Sequence, residues 1–325
     1  MTSNIETRQL GRTGIQITPI GLGVMQFSGG KGVFKFMFPD LSQSDMNTIV
    51  KTALDGGINW FDTAEMYGRG KSEQSLATAL KENETKDDEV LIATKWFPIF
   101  RTASNIPRTI LNRQRFLDGY TIDLYQIHQP YSFSSPEAEM DAMADLVEEG
   151  KIRAVGVSNY SAERMRRAHA ALQKRGLSLA SNQVEYSLWK RSIETDGILE
   201  SAKDLGITII AWGPLASGLL TGKFHHNPDV LAQTPIGRRN ILKRNLEKSR
   251  PLVDALTEIG ENYDASPSQV ALNWLIHSHG DTVVAIPGAS KVKHAQEGAG
   301  AMQFKLSQEE MERLELISQK IQQSI

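Results

Sequence analysis

From Ser42 onward, short apolar runs bounded by Gly, Asp or Pro alternate with longer stretches whose apolar residues recur at helical spacing. The runs predict strands at 59–64, 90–96, 122–128, 152–158, 180–185, 207–212 and 282–286, with Ile20–Phe27 as one more before them. Helices are predicted between them at 45–54, 72–83, 106–118, 136–149, 161–174, 195–204 and within 243–278. Ser42 with Asp45 has the form of a capping box, and Asp55-Gly56-Gly57 ends the helix it opens. Runs that are apolar throughout, rather than alternately polar, belong to a parallel sheet covered on both faces, and eight strand-helix units close a barrel. Two segments stand outside this alternation. Arg8–Thr18 reads as two short strands around a turn at Gly11–Gly14, a hairpin, and the tail from Ser307 predicts one more helix on the outside. No linker or low-complexity segment interrupts the pattern. The expectation is a single domain over 1–325, an α/β fold of the (β/α)8 TIM-barrel kind with an N-terminal hairpin and an extra C-terminal helix.

Composition narrows the partners. At 40% hydrophobic and 23% charged, with a formal net charge of −2, the chain offers no electrostatic reason to bind nucleic acid or an anionic membrane. A small molecule is the expected ligand, and the sequence implies nothing about oligomeric state. Zero cysteines exclude disulfides, thiolate catalysis and thiolate zinc sites, and suit a reducing cytoplasm. The polar start MTSNIETRQLGRTG has no apolar signal core, and no apolar run is long enough to span a bilayer. His225-His226 and His277-x-His279 have no acidic partner at helical spacing, so no metal site is expected.

The chemistry concentrates in NWFDTAEMYGRGKSEQSLATALK, residues 59–81, where Asp62 directly follows three strand-forming residues. A carboxylate there has to be paired or useful. The string FDTAEMYG resembles the signature of the aldo-keto reductase superfamily, and the resemblance extends from about residue 8 to 320. It implies a catalytic tetrad of Asp62, Tyr67, Lys95 and His128, the last two expected at the ends of the next two strands, where VLIATKW and DLYQIHQ place them. Successive strands lie about 5 Å apart, so residues at three adjacent strand ends can converge. Lys95 is expected to lower the Tyr67 pKa, Asp62 to keep Lys95 charged, and His128 to orient a substrate carbonyl, leaving Tyr67 as general acid. Taken singly, Asp62 with Lys95 also fits a structural ion pair, and His128 a satisfied core histidine.

None of these side chains supplies a hydride, so a cofactor is needed. Gly21-Leu22-Gly23 lacks the third glycine of a dinucleotide fingerprint, and Glu65 stands where a P-loop ending in Gly70-Lys71-Ser72 would need glycine. By resemblance the nicotinamide pocket comprises Ser158, Asn159, Gln183 and Trp212. The pyrophosphate loop comprises Pro214, Leu215, Ser217 and Gly218, and the adenosine-phosphate loop comprises Gly288, Ser290, Lys291, His294 and Glu297. His294 and Gly298 stand where relatives commonly carry Arg or Gln and Asn, respectively; NADPH is the expected cofactor and NADH the alternative. Met25, Phe27 and Trp96 are the expected substrate lining, pointing to apolar or aromatic aldehydes. Two segments remain open: SGGKGVFKFMFPDL, residues 28–41, as a loop over the site or a loop pinned by Phe34, Phe36 and Phe38, and the basic run Arg238 to Arg250 as a lid or a solvated helix face. The expected activity is NAD(P)H-dependent reduction of an aldehyde or ketone to an alcohol. The alternative is a cofactor-binding regulatory barrel with little turnover, like potassium-channel β subunits.

Overall fold

The computed structural model describes residues 5–29, 40–234 and 236–323. Strands β1 (Arg8–Gln9) and β2 (Gln16–Ile17) form the antiparallel hairpin, Arg8 opposite Ile17. Its turn needs glycine at position 11, where φ is 55° and a Cβ would come within 2.5 Å of the Ala180 carbonyl oxygen. The main sheet holds eight parallel strands in chain order: β3 (Leu22–Gly23), β4 (Trp60–Asp62), β5 (Leu91–Trp96), β6 (Leu124–Ile127), β7 (Ala154–Ser158), β8 (Leu179–Glu185), β9 (Thr208–Trp212) and β10 (Val283–Ala285). Parallel bridges Ile20–Ala285 and Gly23–Gly288 join the first strand to the last and close the cylinder.

Strand alternation separates two apolar layers. Trp60, Ala93, Leu124, Ala154, Ile210 and Val284 point inward and pack on Leu10, Ile15 and Ile17 of the hairpin, which stops the lower end. Phe61, Ile92, Trp96, Tyr125, Val155 and Ile209 point outward into the larger core beneath the helices. That shell is α1 (Gln43–Asp55), α2 (Lys71–Glu82), α3 (Ile106–Leu117), α4 (Pro136–Glu148), α5 (Ala162–Gln173), α6 (Ile198–Leu205), the short α7 (Lys223–His226) and α8 (Pro228–Ala232), α9 (Ile236–Glu261), α10 (Pro267–His277), α11 (Val292–Gly300) and α12 (Gln308–Gln322). The capping box at α1 forms as expected, with Asp45 N–H donating to Ser42 Oγ at 3.1 Å.

Four elements differ from the sequence expectation. The Ile20–Phe27 strand shrinks to Leu22–Gly23, because Met25–Ser28 coil into a 3-10 turn ended by Gly29 at φ 70°. Helix α9 begins at Ile236, before the expected 243, and α7 and α8 occupy residues for which the sequence pattern predicts no element. The described residues of the basic run lie on α9. Arg250 pairs with Glu247 at 3.2 Å and Arg239 donates to Ala232 O at 3.0 Å, while Lys243 and Arg244 are exposed. Phe34, Phe36 and Phe38 fall outside the described residues.

Candidate active site

Asp62, Lys95, Gln126, Ser158, Gln183 and Trp212 belong to the inward-facing parity of their strands near the upper, carboxyl-terminal end, and His128 follows β6 directly. Lys95 Nζ donates to Asp62 Oδ1 at 2.5 Å and to Thr63 O at 2.8 Å. The other carboxylate oxygen, Oδ2, accepts from Gln183 Nε2 at 2.8 Å and Gln126 Nε2 at 3.3 Å. Gln183 sits four strands from Asp62 and reaches it across the barrel. Gly156 on the intervening β7 keeps that path open, since a Cβ there would lie 2.4 Å from Ser181 Oγ and 2.9 Å from Gln126 Cγ. A buried carboxylate fully engaged in this way avoids the several-kcal/mol cost of an unpaired buried charge.

Tyr67 stands over this pair on the loop after β4, with Lys95 Nζ 5.3 Å from its ring centroid and the His128 ring edge-on at 5.6 Å. Its loop is held by Tyr67 N–H to Ala64 O at 3.1 Å and Ser72 N–H to Tyr67 O at 3.2 Å. Burial raises the Tyr67 pKa above its ordinary value; Lys95 pulls it down and Asp62 pushes it up. The sequence expectation of a net lowering is therefore corrected, because desolvation of the phenolate outweighs the ammonium. Burial also pulls Lys95 down, but Asp62 and Tyr67 more than offset it and hold the ammonium above its usual value. His128 is depressed to about 3 by burial and by Lys95, so the imidazole is neutral, and its buried Nδ1 has no hydrogen-bond partner among the described residues.

A polar string lies beside the tetrad. Trp212 Nε1 donates to Asn159 Oδ1 at 3.1 Å, Asn159 Nδ2 to Ser158 Oγ at 3.0 Å, and Ser158 Oγ to Gln183 O at 2.9 Å. Asn159 holds a left-handed φ of 59°, and its Nδ2 also lies 3.4 Å from His128 O. The string fixes the indole plane before any ligand arrives. Beyond Trp212, the chain from Pro214 and Leu215 passes through left-handed Ala216, Ser217 and Gly218 at φ 48°, 56° and 89°. Lys291 caps α11, Ser290 N–H donates to His294 Nδ1 at 3.2 Å, and Lys293 lies 3.7 Å from Glu297. Burial lowers His294, Glu297 opposes, and Lys223, Lys291 and Lys293 add to the lowering. Gly288 bridges Gly23 where the barrel closes.

The structure brings Asp62, Tyr67, Lys95 and His128 together, but it places two expected substrate contacts elsewhere. Phe27 and Trp96 have no exposed surface and belong to the outer core, Trp96 because it follows inward-facing Lys95 and so points outward, where Nε1 reaches Asn105 Oδ1 at 3.0 Å. Met25 alone of the three is half-buried. Sequence reasoning missed Gln126, although an amide two residues before His128 in an apolar strand is a readable signal. It also missed Lys223, whose charge reaches His294 from the start of α7. Among the described residues no cluster of His, Asp and Glu is placed to hold a metal, and no helix is long and apolar enough to cross a membrane.

Residues 19–319 match the family model described as the aldo/keto reductase family. An oxidoreductase of Mycobacterium tuberculosis is 40% identical over 300 residues, covering 90% of this chain and 86% of that protein. The chloroplastic pyridoxal reductase of Arabidopsis thaliana is 32% identical over 317 residues, covering 93% and 83%. The structure of a glycerol dehydrogenase from Gluconobacter oxydans superposes with a TM-score of 0.80 at 28% identity, covering 97% of this chain and 95% of that one.

Proposed function

The chain belongs to the aldo/keto reductase family, whose members are oxidoreductases acting on carbonyl compounds, and from that premise we propose that it reduces an aldehyde or ketone to an alcohol with NAD(P)H. The observation that carries the reading is the juxtaposition of a buried phenol, Tyr67, with an ammonium, Lys95, that Asp62 keeps charged. A nicotinamide cofactor fits the residues present. Trp212 offers an indole face held in place, Asn159 and Gln183 offer amides, and the three lysines around His294 suit phosphate. When bound, the reduced cofactor supplies the hydride that reaches the carbonyl carbon.

The protein's part is proton delivery and orientation. Because burial keeps the Tyr67 proton in place at neutral pH, the phenol acts as an acid, and the adjacent Lys95 ammonium stabilises the phenolate left after transfer. Neutral His128 donates an N–H to the substrate oxygen without competing for the proton. Asp62 does not meet the substrate; it holds Lys95 in charge and position. The relative named pyridoxal reductase lends support, since pyridoxal is an aldehyde. We read the whole chain as one cytoplasmic domain, with NADPH preferred because Ser290 and Lys291 stand at the start of α11, a favourable place for a 2'-phosphate. Oxidation of NADPH and NADH against a panel of aldehydes and ketones tests the proposal. Carbonyl-dependent loss of reduced cofactor is expected, and tight cofactor binding without turnover on any carbonyl would contradict it.

A further inference from the structure

Tyr67, Lys95 and His128 follow three different strands, and the hydrogen bonds that join those strand ends converge on residues 95–97. Glu65 N–H donates to Lys95 O at 3.1 Å, continuing the β4–β5 ladder in which Thr63 N–H donates to Ala93 O at 2.8 Å. His128 N–H donates to Trp96 O at 3.0 Å. In a regular parallel ladder the residue whose N–H meets Lys95 O would also accept from Phe97 N–H, through its own carbonyl. Here the acceptor is the Glu65 side chain, whose Oε2 takes the Phe97 N–H at 3.0 Å. The main chain has already left for the turn in which Tyr67 N–H donates to Ala64 O at 3.1 Å. One carboxylate thus lets the chain after β4 turn away toward Tyr67 while the end of β5 stays tied to it.

The same carboxylate reaches the third loop. Arg101 Nη1 lies 2.9 Å from each Glu65 oxygen, Arg101 N–H closes a turn onto Pro98 O at 3.0 Å, and Arg101 O accepts from Phe133 N–H at 2.9 Å on the loop after His128. Within that turn Phe100 holds a φ of 59°, a conformation costly for a bulky side chain and maintained only where the surroundings impose it. Arg113 Nη1 stands 3.4 Å from Glu65 Oε1 but makes no hydrogen bond among the described residues, so it balances charge without aiming the carboxylate. Both Glu65 oxygens are engaged and the side chain is only 14% exposed, which leaves it few other orientations. Between Asp62, which holds Lys95, and Tyr67, which carries the proton, stands a charged residue that proton transfer does not consume.

We propose that Glu65 is a positioning residue: through Phe97 N–H and Arg101 its carboxylate holds Tyr67 in register with Lys95 and His128. The inference rests on the carbonyl-reductase reading for its effect on rate, but the positioning can be read without turnover. Glu65→Ala is expected to lower kcat for carbonyl reduction by on the order of tenfold or more, since small misplacements of a reacting group are costly. KM for the carbonyl and affinity for NADPH are expected to stay within about twofold of wild type. Glu65→Gln keeps an oxygen for the Phe97 N–H and is expected to recover most of the loss. In protein labelled at tyrosine and histidine, an NOE between the Tyr67 and His128 rings, whose centroids lie 5.6 Å apart, is expected in wild type and is expected to weaken in Glu65→Ala. Should Glu65→Ala not fold, Arg101→Met, at a side chain 31% exposed, carries the same test, with a smaller fall in kcat and the same weakening of the NOE. A loss of stability with kcat and the NOE kept overturns the proposal, as does a fall in kcat with the NOE intact or a change confined to KM. An NOE that depends on Glu65, in a protein that reduces no carbonyl, leaves the positioning standing and removes the reductase reading.

Discussion

Thr94 and Lys95 are neighbours on β5, yet they serve two buried charge networks on opposite faces of the sheet. Lys95 points into the barrel, to Asp62, Tyr67 and the two glutamines. Thr94 points out, and its hydroxyl donates to Glu73 Oε1 at 2.6 Å. Glu73 is fully buried on α2, and Arg113 of α3 stands with Nε 2.9 Å from its Oε2 and Nη1 3.4 Å from Glu65. Those Arg113 nitrogens make ion pairs without a hydrogen aimed at an acceptor. Burial raises Glu73 to about 7, with Arg113 and Thr94 opposing. By charge, burial and perturbed pKa the outer network resembles an active site as closely as the inner one does. What separates them is that the outer one is walled in by two helices, whereas the inner one lies under Tyr67 at the open end of the barrel. A shifted pKa reports burial; function needs a path to a ligand as well.

The comparison can be broken from either side. Lys95→Met removes the charge that stabilises the Tyr67 phenolate and should lower kcat/KM by on the order of 10³-fold, about 4 kcal/mol, as read in steady-state assays. A small loss would mean that the inner network is also only structural. Arg113→Met strikes the outer network, and leaving Glu73 unpaired should cost about 3 kcal/mol or more of stability in denaturant titrations while the folded fraction keeps most of its kcat. The pH dependence carries its own sign. A carboxyl whose folded pKa is raised contributes stability that is fully present below about 4.5 and lost as pH rises through about 7. Without Arg113 to oppose burial, the folded Glu73 is raised further, so the variant's deficit relative to wild type should grow as pH rises through about 7 and beyond and stay level below it, and a flat difference between pH 5 and 8 would refute the assignment.

Smaller effects test the cofactor side. Lys291→Ala should cost about 1.5 to 3 kcal/mol of NADPH affinity and leave NADH nearly unchanged, if Lys291 meets the 2'-phosphate. Equal losses for the two cofactors in parallel titrations would remove it from that role. Trp212→Ala should weaken binding of either cofactor by about 1 kcal/mol through lost stacking. Unchanged affinity by fluorescence titration would place the indole outside the pocket.

The strand ends carrying Asp62, Lys95 and His128 were legible because strand and helix periods alternate along the sequence and each residue closes an apolar run. Facing was harder. Trp96 reads as pocket lining until the parity set by Lys95 turns it outward, and Phe27 reads as strand until the chain coils at Met25. The role of Gln126 depends on Gly156 leaving room beside it, and a position without a side chain says nothing about the space it vacates. Net pKa was illegible for a similar reason, since the sequence places Lys95 near Tyr67 but does not reveal how completely the phenol is buried. The sequence marks Glu65 only as the residue that breaks a P-loop, and only the folded loops show that one carboxylate fastens Phe97 and Arg101 to the Tyr67 segment.

The central claim is that the inner network delivers a proton through Tyr67, and Tyr67→Phe tests it most directly because it deletes one hydroxyl and keeps the ring against His128 and Lys95. Measured side by side, cofactor affinity should match wild type while kcat/KM for carbonyl reduction falls by on the order of 10²-fold or more. Reduction at a rate near wild type, with cofactor bound equally well, would contradict the account.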